Sequence, residues 1–125
     1  MASHHFLGTG LVSGDLAAAA RDADVLLDAV ERLIAGGGFT VVARQAVPFP
    51  GGGLTAVWVL AESHLVMHYW GGEGFATLDL HVCDYGQSNR RKAAVLVEML
   101  TEFCFETGTA SWREVHLDQP VAAAV

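Results

Sequence analysis

With 125 residues the chain has room for one domain with a modest core. Hydrophobic residues make up 52% and charged ones 17%, which excludes a disordered acidic segment and implies a surface partly covered by a second copy, so a homo-oligomer, a homodimer in the simplest case, is expected. Fourteen acidic against seven basic residues give a formal charge of −7, a field that repels nucleic-acid phosphates and anionic membranes and attracts small cations.

The opening "MASHHFLGTGLVSGD" has neither the charged start nor the long apolar run of a secretory signal. No window reaches about 18 uninterrupted apolar residues, so a soluble, cytoplasmic protein without a membrane span is expected. His4 and His5 read as solvated residues of a terminal segment. Between residues 16 and 38, Val25, Leu26, Ala29, Val30, Leu33 and Ile34 recur at helical spacing and Gly36 supplies a stop, predicting one amphipathic helix.

"FTVVARQAV" predicts a strand, "PFPGGG" a break, and the apolar run Leu54 to Ala61 a second strand, which together make a hairpin. The glycine triplets at 36–38 and 51–53 lack the spacing and the Lys-Ser/Thr ending of phosphate loops and read as turns. Residues 64 to 70 place His64, Val66, His68 and Trp70 on one strand face, and "GGEG" turns the chain into a return strand, Phe75 to Cys83. There Phe75, Thr77, Asp79, His81 and Cys83 share one face, and Ala76, Leu78, Leu80 and Val82 the other.

"SNRRKAAVLVEMLTEFCFE" predicts a second helix, capped by Ser88 or Asn89, with Ala93, Leu96, Val97, Leu100 and Cys104 facing inward. "SWREVHL" supplies a last strand ahead of a small-residue tail. The expected fold is α+β, a two-layer sandwich with a mainly antiparallel sheet covered on one face by two helices, residues 1–125 forming a single domain. Two cysteines without a Cys-x-x-Cys pattern imply no disulfide framework and fit a reducing compartment. Cys104, flanked by Phe103 and Phe105, reads as a small buried hydrophobe.

The chemistry concentrates in "AESHLVMHYW", where an apolar strand gives way to Glu62, Ser63 and His64. On parity alone His64, His68, His81 and Cys83 form a nitrogen and sulfur set that a zinc ion accepts, so a non-enzymatic metal-binding protein is one reading.

A more specific reading comes from the combined motif. Glu62-Ser63-His64-Leu65, His68, Trp70, and Asp79 with Cys83 four residues later resemble the core signature of the small prokaryotic S-adenosylmethionine decarboxylases, with Phe49 matching an upstream aromatic. The strong match covers about residues 47 to 83. The resemblance implies that the chain cuts itself between Glu62 and Ser63 and that Ser63 becomes a covalent pyruvoyl cofactor, with no metal. It further implies catalytic roles for Ser63, His68 and Cys83, processing roles for Glu62, Ser63, Thr55 and His68, and substrate contacts from Phe49, Leu60, Glu62, Trp70 and Glu73. Cys83 would return a proton to the substrate carbon, His68 would assist cleavage, and the product would serve polyamine (spermidine) synthesis.

Three departures from the family pattern bear on substrate. The family's Trp-Pro-Glu is Trp70-Gly71-Gly72 here, with the acid one place late at Glu73; its processing serine is Thr55; and the aromatic before its Thr-Cys-Gly is His81. Decarboxylation of an amino-acid-type small molecule is therefore expected more firmly than the identity of that molecule, and ornithine or arginine is the alternative to S-adenosylmethionine.

Overall fold

The computed structural model describes residues 1–120, so most of the small-residue tail lies outside the described residues. Six strands form one antiparallel sheet: β1 (Ala2–Leu11), β2 (Val41–Pro48), β3 (Gly53–Leu60), β4 (Ser63–Trp70), β5 (Phe75–Cys83) and β6 (Ser111–Asp118), in the order β2-β3-β4-β5-β1-β6. Three helices, α1 (Gly14–Ala19), α2 (Ala23–Gly36) and α3 (Arg90–Cys104), share one core with the sheet. The two-layer α+β expectation holds, with three helices where two were expected.

The extra helix comes from a break inside the run read as continuous. Asp22 leaves the helical region and its carboxylate accepts the backbone N–H groups of Asp24 and Val25, so it caps a new helix. Ser13 caps α1 in the same way by accepting the Leu16 N–H. Leu26, Leu27, Val30 and Ile34 of α2, and Ala93, Leu96, Leu100 and Cys104 of α3, are buried as helical spacing requires.

On the sheet, period two separates the faces. Leu54, Ala56, Trp58 and Leu60 of β3, Leu65 and Met67 of β4, and Ala76, Leu78, Leu80 and Val82 of β5 are buried with the helices. Among the described residues the opposite face carries no helix and leaves Leu7, Val59, Trp70, Val115 and Leu117 exposed.

The N-terminal segment corrects the sequence reading. It is β1, paired with β5 on one side and β6 on the other, and His4 is buried at 3% exposure rather than solvated. Gly8 and Gly10 disguised the strand, because glycine has low strand propensity. Their role is steric: a Cβ on Gly8 would lie 2.6 Å from the Trp112 ring, and one on Gly10 would lie 2.8 Å from Phe105.

Trp58 ties the layers together. It is fully buried, and its indole N–H donates to the Leu27 carbonyl of α2 at 3.1 Å. Trp58→Ala removes this second donor from a carbonyl already in the helix ladder and opens a cavity under α2, so it should cost about 3–5 kcal/mol. Urea unfolding followed by circular dichroism checks the value.

Candidate active site

The turn Ala61-Glu62 joins β3 to β4, with Leu60 paired to Ser63 across it. Glu62 has φ +65°, the one non-glycine residue with positive φ among the described residues. Glycine or asparagine normally fills the second position of such a turn, and glutamate there stores about 1–2 kcal/mol of backbone strain. The strain therefore sits on the residue whose carbonyl precedes Ser63.

Ser63 is half-buried, and its Oγ accepts the Cys83 backbone N–H at 3.3 Å. By strand parity Ser63 falls with Leu65 and Met67, whereas Cys83 falls on the helix-free face. The Cys83 thiol lies 3.6 Å from His81 Nε2. His81 is stacked on His5 with ring centroids 4.0 Å apart and meets His64 edge-on at 5.0 Å, so three imidazoles cross β1, β5 and β4 in register. Partial burial lowers the His81 pKa, and the neighbouring His5 and His64 lower it further against the opposing pull of Asp79. Burial pushes the Cys104 thiol up to about 12, consistent with an inert core residue.

A second group lies at the other end of the same face. Thr55 pairs with His68, and its Oγ1 is 2.9 Å from His68 Nδ1. Trp70 stacks on Phe75, with centroids 4.7 Å apart, and lies 5.6 Å from the His68 ring. Phe49, Thr55, His68, Trp70 and Glu73 line an open cleft of about 430 Å³, floored by the glycine turn.

The predicted site residues thus divide into two clusters. His68 stands five residues beyond Ser63 on β4, roughly 17 Å along the strand at the usual rise. Leu60 joins neither: it is buried on the helix side. Among the described residues no group of three or more His, Cys, Asp or Glu is arranged to hold a metal ion, and His68 is directed to Thr55 rather than to His64, His81 and Cys83.

A network absent from the sequence reading anchors the loop after Cys83. The His4 Nε2 lies 3.1 Å from both Asp84 carboxylate oxygens, and Asp84 also accepts the Asn89 backbone N–H at 2.8 Å. The Asn89 side-chain amide donates to the Cys83 carbonyl at 2.8 Å. His116 Nδ1 meets His4 Nδ1 at 3.1 Å, while its Nε2 meets Asp118 at 3.1 Å. The alternation of His4, Phe6, Gly8 and Gly10 was the available signal, once the glycines are read as strand residues.

Residues 12–111 match the family model described as S-adenosylmethionine decarboxylase. A Pyrobaculum aerophilum protein named S-adenosylmethionine decarboxylase proenzyme is 51% identical over 45 residues, 36% of this chain and 34% of that one. An Aeropyrum pernix protein named arginine decarboxylase proenzyme is 35% identical over 66 residues, 51% of this chain and 50% of its own length. The matched stretches thus span between a third and a half of these relatives. The crystal structure of the adenosylmethionine decarboxylase from Aquifex aeolicus shares the fold, with a TM-score of 0.71 and 18% identity, covering 97% of this chain and 92% of that chain.

The Asn89 N–H, followed by His4, holds the Asp84 carboxyl below the usual carboxylate range. A depressed carboxyl pKa stabilises the fold above the unfolded value, near 3.9, and that stability is lost as pH falls through the lower folded value. Asp84→Asn should therefore lose less stability than the parent between pH 6 and pH 3, as read from urea midpoints at the two pH values.

Proposed function

Because the chain belongs to the S-adenosylmethionine decarboxylase family, we propose that it is a cytoplasmic proenzyme that cleaves itself at Glu62-Ser63 and then decarboxylates S-adenosylmethionine for polyamine (spermidine) synthesis. The observation that carries this reading is the position of Ser63 directly after a turn strained at Glu62, with its hydroxyl on the Cys83 backbone N–H. Ser63 Oγ attacks the Glu62 carbonyl carbon and displaces the amide nitrogen, giving an ester. Loss of the Ser63 α-proton expels the Glu62 carboxylate; water then enters and ammonia leaves, which completes a pyruvoyl group at the new N-terminus. Breaking the chain releases the strain held at Glu62.

The residues present fit that group, since Ser63 supplies its hydroxyl and is half-exposed at the end of its strand. The pyruvoyl ketone supplies an electron sink for the pair left when carbon dioxide departs. Cys83 holds the proton that the product carbon needs. Phe49 and Trp70 offer aromatic faces to a purine, and Glu73, carried into the cleft by Gly71 and Gly72, offers a carboxylate to ribose hydroxyls.

His68 and Thr55 assist cleavage, yet they lie at the far end of the sheet from Ser63 in one protomer. The reading therefore includes a homodimer in which helix-free faces pack about a two-fold axis, so that one Thr55–His68 pair meets the partner's Ser63–Cys83 end. Exposed Leu7, Val59, Trp70, Val115 and Leu117 on that face support it.

Decarboxylation of arginine or ornithine is the second reading, favoured by the Aeropyrum relative and by Gly72 in place of the family glutamate. In it Glu73 pairs with a side-chain cation.

Mass spectrometry of the purified protein should find fragments 1–62 and 63–125, the second blocked by a group that reacts with a carbonyl reagent, and Ser63→Ala should stay intact. Cys83→Ala should cleave but lose turnover on the order of 10²- to 10⁴-fold, whereas His68→Ala and Thr55→Val should slow cleavage. Mixed Ser63→Ala and His68→Ala protomers should recover cleavage of the His68→Ala chain if the site is shared; no recovery rejects the composite site. Carbon dioxide released from carboxyl-labelled S-adenosylmethionine, ornithine, arginine or lysine identifies the substrate. Glu73→Gln should raise KM for whichever one is turned over.

A further inference from the structure

Decarboxylation consumes one proton per turnover, because a carboxylate carbon leaves as carbon dioxide and a C–H bond takes its place. If Cys83 donates that proton, its S–H bond breaks and a thiolate remains that must be reprotonated before the next cycle. The Cys83 thiol lies 3.6 Å from His81 Nε2, inside hydrogen-bond range for sulfur. His81 in turn stacks on His5, and its edge faces His64. His81 is itself half-exposed, so water reaches the ring that contacts the thiol.

We propose that His81 exchanges a proton with Cys83 and resupplies the thiol from solvent water, an inference that rests on the decarboxylase reading for its place in the cycle. In the resting pair the neutral His81 ring accepts the S–H hydrogen bond. When the thiol proton is spent, the thiolate charge favours the protonated ring. Its Nε2 takes a proton delivered by water and passes it to sulfur, restoring the S–H bond and the neutral ring.

The groups facing His81 are Cys83 and Asp79 on its own strand, His5 on β1 and His64 on β4. Partial burial and two imidazoles oppose a lasting charge on His81, and the Asp79 carboxylate favours it. This balance suits a relay, which must take up a proton and give it up within one cycle. The resembling family has an aromatic at this position, which packs equally well but carries no lone pair, so His81→Phe is a fold-compatible test.

The pairing is read without turnover, from the rate at which iodoacetamide alkylates Cys83 between pH 5 and pH 10, in the uncleaved Ser63→Ala chain and in the processed protein. Cys104 is fully buried and contributes no reactive background. Neutral His81 accepts the thiol hydrogen bond and favours its ionisation, so His81→Phe should slow alkylation at pH 7 about tenfold. It should also lose the low-pH limb at which the paired ring and thiol both hold protons. His81→Gln, which accepts a hydrogen bond but does not titrate, should lose the same limb while keeping a polar contact.

Superimposable rate–pH curves for the parent and either folded variant overturn the proposal. In turnover, His81→Phe should lower kcat with KM unchanged and enlarge the solvent deuterium isotope effect. Altered alkylation without carbon dioxide release from any amino acid would sink the decarboxylase reading and leave the pairing standing. Release of carbon dioxide with unaltered alkylation would do the reverse.

Discussion

The antiparallel register between β4 and β5 is the constraint on which the Ser63 end of the molecule depends. It sets His64 opposite His81 and brings the first residue of β4 against the last of β5, so that a serine hydroxyl meets the Cys83 backbone. A slip of one residue would turn Cys83 and His81 into the helix layer and Leu80 and Val82 out of it. The buried side chains of β5 oppose that slip, and hydrophobic burial on one face thereby sets the geometry of reactive groups on the other.

The same division explains which features were legible in the sequence. Period-two alternation in β5 and helical spacing in α2 and α3 are driven by burial, and they read correctly because water exclusion leaves that signature. β1 did not, since its pattern is cut by two glycines whose purpose lies in other elements, under Trp112 and Phe105. The split between α1 and α2 was hidden by an alanine-rich run with strong helical propensity, which a single capping aspartate overrides.

At the candidate site, motif spacing proposes residues but not their separation. Strand parity correctly puts His68 and Cys83 on one face, yet distance along a strand depends on where pairing begins, and that information lies in the turns. The His4–Asp84–Asn89 network was invisible for a related reason, because its members are five and eighty residues apart and meet only when β1 closes against β5. In place of a flexible loop after Cys83, these contacts hold the loop's carboxylate and amide groups and thus the backbone of Cys83 itself.

The strand order has a further consequence once a bond between Glu62 and Ser63 is broken. The two pieces are interleaved: the first contributes β1, β2 and β3, the second β4, β5 and β6, and β1 lies between two strands of the second piece. Neither piece holds three neighbouring strands, so each relies on the other for its edges. Continued pairing across β3–β4, β5–β1 and β1–β6 would hold the nicked protein together without a covalent link. Regaining the fold after complete denaturation would then be a meeting of two molecules, governed by mass action, where the uncut chain folds alone. Such a protein would fold first as a single chain, and cutting it would make any later folding depend on concentration.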